Sequence, residues 1–262
     1  MGLVQSILFD TGVAIFLISV CILIEQIAVI ERYTLRQRVP GLVMNTVGTI
    51  LSTGLSWPLQ KLWGELGLAP AMILPLWNWL EPLGALGYAI QFLLLITIAD
   101  FLAYWRHRAE HKWFWAIHVV HHSPTELHAA NDIGHPVQIV FSLLFITLPM
   151  SLILIDGPET PFAIGALISL LSYYIHSPID FHFGPLRKMI VDNRYHRIHH
   201  SLEPHHIDKN FGICLSLWDR LFGTYEHLEP SQIKYGLDRY YPNEEDENLS
   251  MLFKKPFKKL DT

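Results

Sequence analysis

Five apolar stretches, separated by polar and basic clusters, occupy the first two thirds of the chain. They are Ile7–Ile30 (interrupted by Asp10, Glu25 and Gln26), Gly41–Leu59, Leu83–Ala99, Val137–Ile155 and Pro161–Ile175. The clearest three approach the ~20 residues an α-helix needs to cross the hydrocarbon layer. Gly41–Leu59 is weaker, and Pro161–Ile175 is short enough for a partial or re-entrant segment. Pro149 is expected to kink the fourth run, since it removes a backbone donor. Asp156, Glu159 and Thr160 ahead of Pro161 mark a capped helix start in a tight hairpin. Trp77 and Trp79, in a Pro-flanked stretch, suit a membrane interface. The pattern predicts an all-α, integral membrane helical bundle. Residues 1–82 would be an N-terminal transmembrane region, and 227–262 a polar tail, acidic over Asn243–Asn248 and basic over Lys254–Lys259.

Composition agrees. Of 262 residues, 51% are hydrophobic and only 16% charged. The net charge of −5 argues against a nucleic-acid partner. Cys21 and Cys214 form no CxxC pair and no disulfide framework. The first residues lack a basic stretch and a small-residue cleavage site, so no cleaved leader is expected. Lys and Arg concentrate at Arg32/Arg36/Arg38, at Arg106/Arg108/Lys112 and after Ile175. The positive-inside rule makes those regions cytoplasmic. Five crossings with the N-terminus outside satisfy it, and leave the C-terminus on the same side as the basic clusters.

That side also carries the candidate chemistry. His107 and His111 are spaced i, i+4; His118, His121 and His122 cover i, i+3 and i+4, and His196, His199 and His200 repeat the second pattern. Residues three and four apart share a helix face. Three such helices facing inward would enclose two metal ions between eight imidazoles. A helix from Leu83 clears a ~30 Å core near residue 103, which puts His107 and His111 just past the hydrocarbon edge. Asp100, seven residues before His107, lies on nearly the same face. It is expected to accept a hydrogen bond from a ligand imidazole, as metal-bound histidines require.

Imidazole alone does not choose between zinc, copper, nickel and iron. A metal transporter would hold its ligands near the bilayer midplane, often in repeated halves. Here the ligands lie beyond the core, and no repeat is present. A haem-carrying electron-transfer protein would use isolated histidines on facing helices, whereas adjacent His-His pairs crowd a haem. The Glu-rich motifs of soluble di-iron bundles are absent.

His-Arg-Ala-Glu-His at 107–111, His-Val-Val-His-His at 118–122 and His-Arg-Ile-His-His at 196–200 resemble the ordered boxes of the fatty acid hydroxylase/sterol desaturase superfamily. Asp208-Lys-Asn-Phe-Gly-Ile and Trp218-Asp-Arg-Leu-Phe-Gly-Thr-Tyr225 are similar to its closing signature, and the resemblance runs over about residues 95–226. Residues 83–226 would then be the catalytic domain. The resemblance implies a non-haem di-iron centre that uses O2 to hydroxylate or desaturate a membrane lipid: a sterol, fatty acyl chain, ether lipid or carotenoid. It also implies His176 as a ninth ligand. His135, before Pro136, would be a donor at a helix start that supports a ligand; His182, His205, His206 and His227 would be loop residues. No nucleotide fingerprint or haem-attachment motif is present, so electrons would come from a separate donor protein. The chain departs from the superfamily over 128–135, where it has His128 in place of an Asn and lacks an Arg before His135, and at Asp192-Asn193, where a Thr-Pro pair is usual. Substrate specificity is expected to differ in 128–135.

Overall fold

The computed structural model describes residues 1–27, 30–67, 72–155, 161–179, 181, 183–227 and 233–237. The acidic and basic tail segments, His182 and the expected helix cap at Asp156–Thr160 lie outside these residues.

The architecture is all-α, as the hydrophobic pattern predicts. Helix α1 (Leu3–Glu25) and helix α2 (Leu35–Glu65) form an antiparallel pair, and a four-residue helix α3 (Trp77–Leu80) leads to the long α4 (Ala85–Trp113). A short α5 (Trp115–His122) follows, then α6 (Gln138–Ser142), α7 (Leu148–Leu152), α8 (Pro161–His176), α9 (Asn193–His199) and α10 (Leu217–Leu221). The one sheet among the described residues is a parallel pair of three-residue strands, β1 (Met72–Leu74) and β2 (Ile153–Ile155).

Helices α1 and α4 are long and apolar enough to cross a membrane, while Gln138–Leu152 and Phe162–His176 are shorter apolar helices. Helix α1 exposes Val4, Leu8, Phe16 and Leu23, and α2 exposes Val43, Leu51 and Leu59. An apolar surface this extensive is costly in water and suits a hydrocarbon surround. The fourth apolar run is broken by a π-helical turn over Leu143–Thr147, ending two residues before Pro149. Proline has no N–H to return to the preceding turn, so the interruption falls where the ladder loses a donor.

The apolar run expected to reach Ile30 stops being helical at Glu25 because that residue is bound into the far end of the bundle. Its carboxylate pairs with Arg38 and accepts from the Ala129 N–H at 2.9 Å, all three buried. Arg38 belongs to α2, whose start is capped by Thr34: its hydroxyl accepts from Gln37 N while Gln37 Oε1 accepts from Thr34 N at 2.7 Å. One turn on, Gly41 presses on the Ala129–Asn131 turn. A Cβ there would collide with the Ala130 carbonyl, and Asn45 Nδ2 donates to that same oxygen at 2.9 Å. Helices α1 and α2 therefore grip the segment that leads to residues 132–138, next to the histidines.

Candidate metal centre

Helix α4 runs unbroken from the apolar span into the first histidine box, so His107 and His111 extend from its last two turns. Phe114 ends it, and α5 turns back with His118, His121 and His122, all buried. Helix α9 carries His196 and His199, with His200 at its C-cap. Asp192, one of the residues departing from the superfamily pattern, caps this helix by accepting from Tyr195 N at 3.0 Å.

The nine histidines converge into two groups: His107, His111, His118, His122 and His199 in one, His121, His176, His196 and His200 in the other. Within each group, one potential ligand atom per residue lies within 4.8 Å of all the rest. Each i, i+4 pair stays together, whereas the residue between its members, His121 or His199, points to the other group. At 100° per residue, an i, i+4 pair diverges by about 40° and the i+3 residue lies on the other side of the first. His176 joins from the end of α8, its Nε2 3.1 Å from His196 Nε2.

Most of these rings are held from behind through Nδ1. The carbonyls of Phe211, Lys209, Ile133 and Ser172 lie 2.9, 2.8, 2.9 and 2.7 Å from Nδ1 of His107, His199, His121 and His176 respectively. Asp208 Oδ1 lies 3.1 Å from His111 Nδ1, and Glu110 Oε2 lies 2.9 Å from His118 Nδ1. The hydrogen bond to His111 holds the Asp208 carboxyl below its usual range, so it is ionised. Gln138 Nε2 also approaches His118 Nδ1, at 2.9 Å, and lies 3.1 Å from Glu110 Oε2. The ring N–H and the amide both reach the same carboxylate oxygen as donors.

With Nδ1 protonated, Nε2 carries a bare lone pair. Yet His107 and His118 bring their Nε2 atoms to 3.2 Å, and His199 Nε2 is buried with no hydrogen-bonding partner. Lone pairs held face to face repel unless a cation lies between them. Nitrogens bound ~2.1 Å from a common ion stand about 3.0–3.4 Å apart, which matches this spacing. Burial, reinforced by neighbouring imidazoles, holds His118, His122, His196, His199 and His200 well below the usual imidazole range and pushes His121 down to about 4. The neutral ring is the form a metal binds. The donor set therefore fits two nitrogen-ligated ions.

Two expectations need correction. Asp100 accepts from no histidine among the described contacts. Its oxygens take the backbone N–H groups of Cys214 and Leu215 at 2.8 and 2.9 Å, and Trp218 Nε1 at 3.1 Å. Nearly two turns of α4, about 10 Å of rise, separate it from His107, too far for their side chains to meet. It anchors instead the segment that carries the Phe211 carbonyl. His135 Nδ1 accepts from Val137 N at 3.2 Å, so that nitrogen is no donor; its backbone N–H fixes Gln138 Oε1 at 2.9 Å, and Gln138 reaches His118.

The supporting groups missed in the sequence are Glu110, Gln138, Asp208 and the loop 208–212. Asp208 and Asn210 adopt left-handed backbone conformations with φ of 56° and 59°. That loop is gripped by buried Asp219, which accepts from Phe211 N and Gly212 N at 2.9 and 2.8 Å, from Thr224 Oγ1, and from the Tyr195 hydroxyl. The closing motif thus has a physical role: it holds three acceptors behind His111, His199 and His107. Among the other histidines, His205 and His227 are exposed, while His128 and His206 are buried away from the two groups.

A cavity of about 170 Å³ adjoins both groups, bordered by His107, His118, His121, His176 and His196. The site lies at one end of the helices, not midway along them, and its adjacent histidine pairs leave no facing pair for a haem.

Comparison with known proteins agrees. The fatty acid hydroxylase family profile matches residues 92–224. Alkylglycerol monooxygenase of Danio rerio is 34% identical over 137 residues, covering 51% of this chain and 30% of that protein. The Homo sapiens alkylglycerol monooxygenase is 31% identical over 141 residues, 53% of this chain and 31% of its own length. Ornithine lipid hydroxylase OlsE of Rhizobium tropici is 32% identical over 154 residues, 57% and 46% respectively. The chain thus spans less than half the length of these curated relatives. No solved structure matches. Three histidine boxes in order, the closing motif that braces them and the profile across half the chain lead to one assignment: the chain belongs to the fatty acid hydroxylase family.

Proposed function

We propose that this chain is a membrane-bound, non-haem di-iron oxygenase that uses O2 to hydroxylate or desaturate a lipid. The observation that carries the reading is the pair of buried imidazole groups whose rings are fixed through Nδ1 and whose Nε2 atoms converge. Eight box histidines and His176 would be the ligands, five for one ion and four for the other.

The bound irons would supply O2 activation and abstraction of hydrogen from an unactivated C–H bond. The chain's own residues do the rest. Glu110, Asp208 and the loop carbonyls keep Nδ1 protonated and the rings in place, so little reorganisation is needed when metal binds. Burial excludes bulk water from the histidines, and the adjoining cavity offers room for the reacting part of the substrate. For hydroxylation, R–H, O2, two electrons and two protons give R–OH and water. The two electrons come from a separate donor protein docking on the side that carries the basic clusters. That side, with the histidines and the C-terminus, is cytoplasmic, and the N-terminus is outside. Relatives that are lipid hydroxylases and monooxygenases support the substrate class.

The test is metal analysis of the purified protein together with lipid extracts from cells with and without the gene. Two non-haem irons per chain and a lipid that gains oxygen or loses two hydrogens are expected. A Soret band, or altered cellular metal content with no lipid changed in the presence of air and a working reductase, overturns the reading.

A further inference from the structure

The wall of the cavity beside the two histidine groups is more polar than a hydrocarbon chain alone would call for. Arg106, Asp132, Gln138 and Ser172 border it, along with Ile175 and Ile213. Asp132 follows the turn that α1 and α2 grip. Ser172 Oγ donates to its Oδ2 at 2.6 Å, while Oδ1 stands 3.9 Å from His121 Nδ1 and from His176 Nε2, beyond hydrogen-bonding range. The carboxylate is 21% exposed, so one oxygen keeps acceptor capacity at the cavity. Arg106 Nη1 donates to Ser142 Oγ at 2.8 Å and lies 3.5 Å from Glu110 Oε1, and the guanidinium-bearing side chain stays 17% exposed. A charged acceptor with one spare oxygen and a charged donor side chain thus border one small space. A ligand that pairs with both gains hydrogen bonds to charged groups.

The neighbouring space is different. A second cavity, of about 180 Å³, shares Asp132, Ile133, Gly134 and Gln138 with the first. Its outer wall includes Met44, Val47 and Gly48 of α2 and Ile139 of α6. Polar surface therefore lies next to the histidines, and apolar surface lies between helices that bear lipid-facing side chains.

We infer that the lipid binds with its polar end toward the metals, where Asp132 accepts from a hydroxyl or ammonium and Arg106 donates to an oxygen, while its chain leaves between α2 and α6. The carbon attacked then lies within a few bonds of that polar end. This rests on the oxygenase reading of the same site and narrows its substrate class to lipids with a hydrogen-bond-donating headgroup. It also gives a use to segment 128–135, in which Asp132, Ile133 and Gly134 border the cavities.

Binding to the full-length, metal-loaded protein in nanodiscs tests this without requiring turnover. The probes are a long-chain vicinal diol, the matching dimethoxy compound, a primary amine and a plain alkane of equal chain length. The diol or the amine should bind about tenfold tighter than the dimethoxy compound or the alkane, as expected for hydrogen bonds to charged groups. Which of the two binds tighter tells hydroxyl from ammonium. Asp132→Asn should reduce the preference to about threefold or less while metal content is retained. If that variant does not fold, Ser172→Ala, which frees the second carboxylate oxygen, should alter the preference without abolishing it. Equal binding of all four probes by the unaltered protein overturns the proposal. So does turnover that places oxygen in mid-chain. A tenfold preference without any turnover leaves this site standing and counts instead against the oxygenase reading.

Discussion

The Glu110 carboxylate lies 2.9 Å from Nδ1 of His118, joining the end of α4 to α5 inside the metal site. Glu110 is fully buried, and Arg106 Nη1 lies 3.5 Å from its other oxygen. The pair fixes which nitrogen of His118 is free to face a metal. Glu110→Gln removes the charge that holds the proton on Nδ1. Losses of about 10–100-fold in metal affinity or activity are expected. Titration of iron into the metal-free variant and the unaltered protein checks this, and unchanged affinity rules out the role.

His176 lies outside the three boxes, yet its Nε2 is 3.1 Å from that of His196. His176→Ala should therefore lower bound metal and activity as fully as His196→Ala. His205→Ala, an exposed loop change, should leave both unaltered. Metal content per chain, measured after purification in detergent, decides the matter; full occupancy in His176→Ala removes it from the ligand set.

Asp100 is expected to act on stability before it acts on chemistry. Asp100→Ala strands the N–H groups of Cys214 and Leu215 and the indole of Trp218 at a buried helix face. An unsatisfied buried donor costs about 1–3 kcal/mol. Thermal unfolding in detergent should show a lower midpoint, and Asp100→Asn, which keeps acceptor capacity on one oxygen, should lose less.

Gly41 permits the closest approach of α2 to the turn before Asp132. Gly41→Ala puts a methyl group into the Ala130 carbonyl and should destabilise by about 1–3 kcal/mol, as overpacking does. Gly48→Ala, on the same helix with open space around it, is the matched control and should be nearly neutral. Unfolding midpoints of the two variants give the comparison.

Metal removal provides a last check. With bare Nε2 atoms facing one another, the metal-free protein should unfold at a lower temperature than the loaded one. The difference should grow with free metal concentration as linkage requires. Identical melting curves with chelator and with iron would show that the imidazoles hold no ion.

Local periodicity in the sequence determined much of this. Apolar runs of span length predicted helices, and i, i+3 and i+4 spacing predicted inward-facing histidines, because both depend only on rise and rotation per residue. The boxes are also contiguous, so their members were legible one by one. What the tertiary structure decided is the partition. Box two gives His118 and His122 to one group and His121 to the other, and box three gives His196 and His200 to the second and His199 to the first. A small angular difference on a helix becomes a choice of site only when other helices occupy both sides. The same holds for the acceptors behind the rings. Glu110 read as one letter within a box, and the carbonyls of Lys209 and Phe211 have no side-chain signature at all. Their roles arise because Asp100, far from them in sequence, and Asp219, which draws Tyr195 and the 211–212 backbone together, fold the closing motif against α4. Long-range contacts of that kind depend on where the chain returns to, which no local spacing encodes.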